Sequence, residues 1–576
     1  MFIGLMFLLP FVVLYHHLPI PSFYGEWVAA TLGLLAMLPL LRKASWQSFQ
    51  VPQIALIFLG LAAIISMQWM LGMLHSNQYA LLVLSYVVWA FFLVILGGYL
   101  RRELGWEKVA ITLAWFIVIG GLINVGIVGL QYAVQQGLTI PFITKVQGYG
   151  AITQRNHVAN YTSLALASLI YLYAKERFSL KAFTLLCALF LVMLSFTGSR
   201  SSWLYLIAFT VLAVILQANA MKQRMGSKNI RSLLRASLLL IPAFILAQLF
   251  VYFAFPDGLI ELPSERLLEQ AAATNTSLRL QFWYDSWRMF LQSPWLGVGT
   301  GAMRGQSFLL LDAPTAMASG RVFEHSHNLF LHLLAEMGIG AFLIVLAGVI
   351  AWLLNFKWRE LSLETWWLLA LLAVLGIHSM LEYPLWYTYF LGIAAVLLGA
   401  GEEKLTTIKL PNIGQFMGRT VLALVLVFGV VNLGSMAVAN IKLESWLLHG
   451  MQGKIKKKDQ PDFYQALAWV HKNSMLAPYA ELMYAHTITP NAAGLNEKLW
   501  VSQSALSFIP MRKVAYRYVL FLKLKGNQAA AVKQLNRTMI AFPGDFTKEL
   551  QSIPFKHWQD YLDVLSEARP MQQKQQ

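Results

Sequence analysis

The chain has a single cysteine in 576 residues, and charged side chains make up only 12% of it. Cys187 lies inside an apolar run, so no internal disulfide can form and neither thiol redox nor zinc chemistry is expected. Acidic residues are the scarcer sign: 27 Asp and Glu stand against 44 Lys and Arg, a net charge of +17. There is no Asp-x-Asp motif, no HExxH, no Walker loop, and no cluster of outer carboxylates that would hold a hard cation. His325 and His327 form an H-x-H pair without a third soft ligand, a poor metal site. No metal and no cofactor are therefore expected.

Apolar sequence is what the chain has in excess, at 58% hydrophobic residues. Runs fit for membrane spans lie near 2–16, 26–41, 52–72, 79–100, 109–134, 158–174, 182–196, 203–219, 236–256, 329–354, 365–381, 387–400 and 420–440. A soluble globule cannot bury that much apolar surface, so the expected fold is an all-α polytopic membrane protein with about thirteen transmembrane helices. The first run has no basic flank and no small-residue cleavage site, and reads as a retained helix.

Loop charges orient the bundle. With the N-terminus in the cytoplasm, Arg42 and Lys43, Arg101, Arg102 and Lys108, and Lys175, Arg177 and Lys181 fall inside. So do the Lys222–Arg235 cluster, Lys357 and Arg359, and Lys404, Lys409 and Arg419. The opposite short loops hold only Lys145, Arg155 and Arg200, and an odd number of spans leaves the C-terminus outside. The positive charge thus serves orientation and attraction to anionic lipid, and no nucleic-acid partner is called for. The pattern fits a multi-pass protein of a bacterial inner (plasma) membrane.

Four regions follow: an N-terminal bundle (1–256), a large outer loop (257–328), a C-terminal bundle (329–440) and a polar outer tail (441–576). The tail reads as helices over 462–472, 496–508, 511–525 and 527–541. Gly526-Asn527 followed by AAAVKQLNRTMIAFP is similar to the second half of a tetratricopeptide hairpin, so the tail is termed TPR-like. The plainer alternative is a helical cap resting on the outer loop.

Polar residues near spans are functional candidates because they are costly there. The outer side gathers Arg155, Asn156 and His157; Arg200 in FTGSRSSWL; Arg279 and Arg288 in the long loop; and Glu324-His325-Ser326-His327-Asn328. His378 and Glu382 follow the eleventh run. Fixed arginines suit a polyanionic leaving group such as pyrophosphate, and a histidine suits the deprotonation of a hydroxyl. If Ser326 caps the next helix, His327 occupies its first turn, and Glu336 lies ~12 Å into the membrane by helix rise, oriented towards His332. Gly297-x-Gly299-x-Gly301 is a weak phosphate-loop signal with no strand before it, and reads first as a turn.

HSHNLFLHLLAEMGIGAF resembles the signature of the O-antigen ligase and polymerase superfamily, membrane glycosyltransferases of GT-C type that act on polyprenyl-pyrophosphate glycans. Within it, TQRNHVANY, FTGSRSSWL, LRLQFWYDSW, PWLGVGTG and HSMLEYPLWYTYF are similar to bacterial protein O-oligosaccharyltransferases that glycosylate pilins. The resemblance implies metal-independent transfer of a preassembled glycan from undecaprenyl pyrophosphate to Ser or Thr of a periplasmic acceptor protein. It implies His327 as general base with His325 as its rival, and Arg200 and Arg279 as pyrophosphate ligands, with Arg155 and Arg288 as further candidates. Asn156, Asn328, His378 and Glu382 would orient donor or acceptor. The nearest rivals are an O-antigen ligase acting on lipid A core and an O-antigen polymerase. A rival of another class is a lipid-linked glycan transporter, against which stands the lack of matched halves.

Overall fold

The computed structural model describes residues 1–141, 143, 149–224, 227–255, 261–266, 278–312, 321–451, 455–543 and 557–568. Lys145 lies outside the described residues, as do parts of the long loop and the end of the tail. Among the described residues nine helices are long and apolar enough to cross a membrane: Phe23–Leu41, Gln53–Met70, Asn77–Leu104, Trp106–Gln135, Leu180–Thr197, Ser201–Lys222, Lys228–Ala254, Leu329–Asn355 and Asn412–Leu447. Each coincides with an expected run. Their outward faces expose Leu246, Phe253, Leu424 and Val431, as a lipid-facing surface does.

Helices at the other four expected runs are shorter or more polar, for differing reasons. Arg155–Ala174 carries His157, Asn160, Thr162 and Ser163, and every residue from His157 to Leu172 is buried. It is surrounded by protein, so it need not be apolar all round. Leu363–Ser379 and Thr388–Gly401 are likewise mostly buried. The run at 2–16 forms an α-helical turn, Phe2–Met6, and a 3-10 turn, Leu9–Val12, with Pro10 near the latter's start. Eleven residues of helix reach only about 16 Å, short of a full crossing. At the opposite end of the bundle from the candidate site, Phe49–Pro52 pairs antiparallel with Leu405–Ile408.

One break in a helix shapes everything near the site. Leu329–Asn355 loses its helical path at Gly338, which has φ +74°, a conformation open to glycine and strained for other residues. The segment Pro294–Gly301 fills the gap. Val298 N–H donates to Ala335 O at 2.9 Å, Gly299 N–H to Glu336 O at 3.1 Å, and Ile339 N–H to Pro294 O at 2.9 Å. Fully buried Gln68 locks the junction, donating to Leu296 O and Glu336 O while its own oxygen accepts from Thr300. The Gly297-x-Gly299-x-Gly301 pattern is thus a packing device: a Cβ on Gly297 would lie 2.2 Å from the Glu336 carbonyl carbon. Glu336 precedes the break by two residues and is held there by the inserted loop. Its carboxylate accepts from Gly301 N–H and Met303 N–H and lies 3.1 Å from His332 Nε2.

In the tail, helices Gln460–Asn473, Ala477–Thr487, Leu495–Phe508, Arg512–Leu524 and Gln528–Ala541 follow one another, four of them where the sequence placed them. The tail is not an independent body. Leu482, Ala505 and Phe521 share a core with Phe308 and Leu311 of the long loop. The Asn412–Met451 helix runs unbroken through 440/441, so that boundary marks a change of surroundings, and Ala439 and Leu443 pack on Phe463 and Leu467.

Candidate active site

Glu382 sits just past the end of Leu363–Ser379 and gathers three expected site residues around one carboxylate. Its Oε1 accepts from Asn156 Nδ2 at 2.7 Å and from Arg279 Nη2 at 3.0 Å. Its Oε2 lies 2.9 Å from His327 Nδ1. Burial raises the Glu382 carboxyl, but the hydrogen bond and charge of His327, with the charge of Arg279, outweigh it and hold the group down at about 2. Glu382 is therefore a fixed anion, and an Nδ1–H donor leaves the His327 Nε2 lone pair as the ring's basic site.

His327 is held from several sides. Phe282 lies parallel to its ring at 5.9 Å and Tyr383 meets it edge-on at 5.4 Å. Its backbone has φ +54°, a left-handed conformation that costs energy in a non-glycine residue and is often found at functional sites. The helix cap is not Ser326 but Asn328, whose Oδ1 accepts from Phe330 N–H and Leu331 N–H at 3.1 Å. His327 consequently stands before the helix, outside its first turn. The Asn328 Oδ1 is thus taken up by the helix cap.

The rival base, His325, is buried and stacked on Tyr383 at 3.9 Å. Burial, then the neighbouring His332, His327 and Arg304, push its pKa well below the ordinary histidine value. His327 keeps a side chain 24% exposed and is the accessible member of the pair.

Four arginines converge beside this carboxylate. Arg200 immediately precedes Ser201–Lys222, and burial followed by the charges of Arg279, Arg266 and Arg155 lowers its pKa. Among the described residues Arg200 has no carboxylate partner. Arg155 opens the Arg155–Ala174 helix and lies 3.6 Å from Glu261. Arg266 shares Glu261 at 3.5 Å and donates to Gly198 O at 3.1 Å. Two helix N-termini, at Arg155 and Ser201, thus add partial positive charge to the guanidinium groups. The ensemble is built to hold an anion bearing several oxygens.

Other expected residues lie elsewhere. Arg288 is about 13 Å along the same helix from Arg279 by helix rise and pairs with Asp285 at 3.2 Å. His378 is wholly buried, with Nδ1 2.8 Å from Tyr205 Oη, because the last turn of its helix faces neighbouring helices. Asn156 holds structure: besides Glu382, its Oδ1 accepts from Ser199 Oγ at 2.9 Å. Arg266 escaped the sequence, since SERLLEQ looks like a solvated helix with alternating charge. Phe282 carried a usable signal, standing three residues after Arg279 on the same helix.

Comparison with known proteins bears on this arrangement. Residues 185–346 match the family model described as O-Antigen ligase. Residues 366–553 match the one described as Virulence factor membrane-bound polymerase, C-terminal. The chain is thus similar to O-antigen ligases over 185–346 and to these polymerases over 366–553. The ligase match holds Arg200, Arg279 and His327, and the polymerase match holds Glu382, so the carboxylate cluster joins the two regions. Two relatives come from Acinetobacter baylyi. One, named General O-oligosaccharyltransferase, is 22% identical over 392 residues, 67% of this chain and 66% of the relative. The other, named ComP-specific O-oligosaccharyltransferase, is 24% identical over 382 residues, 66% of each chain. The matched stretch therefore spans just under two thirds of each relative's length.

Proposed function

We propose that this chain is a member of the O-antigen ligase superfamily and a protein O-oligosaccharyltransferase of a bacterial plasma membrane. It moves a preassembled glycan en bloc from undecaprenyl pyrophosphate to a Ser or Thr hydroxyl of a periplasmic protein such as a pilin. The observation that carries this reading is the linked set His327–Glu382–Arg279 beside Arg200, which has no carboxylate partner among the described residues: a restrained base next to a cationic cradle. In the reaction, His327 Nε2 takes the acceptor proton as the hydroxyl oxygen bonds to the anomeric carbon. The bond from that carbon to the pyrophosphate oxygen breaks, with inversion, and polyprenyl pyrophosphate leaves on the arginines. Glu382 stabilises the imidazolium that forms. In this reading all thirteen apolar segments cross or enter the membrane, the N-terminus is cytoplasmic, and site and TPR-like tail are periplasmic.

The names of the two relatives support a protein acceptor. The description of the model matching 185–346 favours the second reading, an O-antigen ligase with lipid A core as acceptor. Purified chain in detergent, given undecaprenyl-pyrophosphate glycan, either pilin or lipid A core, and EDTA throughout, separates them. Intact-mass analysis should show one glycan added to pilin. Transfer to lipid A core alone would establish the ligase, and a reaction restored only by a divalent ion would overturn the metal-free mechanism.

A further inference from the structure

The helix Leu278–Gln292 has a second face that the site does not use. At 100° per residue, Leu280, Tyr284, Trp287 and Leu291 fall on one narrow stripe, and Trp295 stands just beyond the helix's end. Leu280 is 47% exposed, Trp287 44%, Leu291 60% and Trp295 78%. The opposite face, with Asp285, Ser286 and Met289, is buried against the protein. No carboxylate interrupts the stripe, and the two arginines of the helix, Arg279 and Arg288, flank it on either side.

The placement of this helix follows from its two anchors. Its first turn is tied through Arg279 to Glu382, just beyond the end of Leu363–Ser379. Just past its last turn, Pro294 O accepts from Ile339 N–H, the first residue after the break in Leu329–Asn355. Both anchors lie at the site's end of the bundle: Glu382 follows the end of Leu363–Ser379, and Gln68, which holds the segment after Pro294, lies two residues before the end of Gln53–Met70. Leu296 O is also held by Gln68, two residues before exposed Met70 and Leu71, so the stripe continues into the exposed apolar rim of the bundle.

We propose that Leu278–Gln292 is an interfacial helix whose Leu280–Trp287–Leu291 stripe and Trp295 insert into the leaflet on the site's side, so that the partner of this surface is phospholipid. An apolar face with aromatic side chains and basic flanks is what the headgroup–acyl boundary selects. Arg279, one residue before the stripe begins, is thereby fixed at headgroup depth, where a membrane-anchored phosphate group lies. This consequence rests on the function proposed above; the seating in lipid does not.

The test uses the full-length chain with Cys187→Ser and a single Trp287→Cys or Leu291→Cys carrying a fluorescent label, in nanodiscs of phosphatidylethanolamine and phosphatidylglycerol. Lys472→Cys, on the exposed tail, is the solvent control. Lipids carrying a shallow nitroxide should extinguish the label at 287 and 291 and spare 472, while aqueous iodide should do the reverse. Iodide quenching at 287 and 291 equal to that at 472, without nitroxide quenching, would overturn the proposal and leave the stripe as a protein-docking face. Labels that neither quencher reaches would overturn it too. No glycan takes part, so the outcome stands apart from whether the chain transfers one.

Discussion

His327 Nδ1 and Glu382 Oε2 stand 2.9 Å apart, although 54 residues and the two helices Leu329–Asn355 and Leu363–Ser379 separate them in the chain. In the proposed mechanism the pairing gives a histidine on a strained turn a fixed tautomer as general base, and it dictates how the site should respond to substitution.

His327→Ala should lower transfer by ~10²–10⁴-fold, the usual contribution of a general base, while donor binding persists. His325→Ala should instead lower the melting temperature, because it removes a ring packed on Tyr383, and should leave a larger share of activity per folded molecule. Rates and melting curves on the two purified variants decide between them. A dead, fully folded His325→Ala beside an active His327→Ala would move the base to His325.

Arg200→Lys and Arg279→Lys keep the charge but lose the planar fork, and each should cost on the order of 2–4 kcal/mol in the transition state. They should differ in stability. Arg200 has no carboxylate partner among the described residues, whereas Arg279 is bonded to Glu382, so only Arg279→Lys should melt earlier. Wild-type rates in both variants would assign these arginines to interfacial anchoring.

Glu382→Gln tests the anion itself. The folded-state pKa is depressed from 4.5 to about 2, so the carboxylate's stabilising contribution is complete above the ordinary value and is lost as pH falls towards the depressed one. Between pH 6 and 8 the variant should melt below the wild type by a constant margin, which should shrink from about pH 4.5 downward. A margin unchanged down to pH 3 would mean that packing, not charge, sets the effect.

Gly297→Ala should destabilise by about 2–4 kcal/mol, since its Cβ meets backbone and its φ is +69°. Gly126→Ala, in a helix with open space around it, should be neutral or stabilising. Equal melting temperatures for the two variants would show that the loop does not seat in the helix break as described.

The sequence disclosed the peripheral helices well, because a lipid-facing helix must be apolar on its outer side and hydropathy detects that. It was least direct for Arg155–Ala174, Leu363–Ser379 and Thr388–Gly401, which lie within the bundle and need neither full length nor a uniform apolar surface. Within the site, His327, Arg200, Arg279, Asn156 and Glu382 were all legible as polar residues gathered on one side. Their division of labour was not: that Asn328 caps, Asn156 braces and Glu382 clamps His327 depends on φ at 327 and on contacts between distant segments. Arg266 depends on tertiary placement alone.

The junction at Gly338 has a consequence for how the molecule is made. Backbone groups freed by the break in a membrane helix are satisfied by Pro294, Val298 and Gly299, about forty residues earlier in the chain and, in the orientation proposed above, already across the membrane when that helix is inserted. The helix therefore reaches its final hydrogen-bonded state only after the upstream loop has been translocated and has folded back onto it. A defect in that loop should register first as failed biogenesis, with the protein cleared by membrane quality control before any catalytic shortfall can be observed.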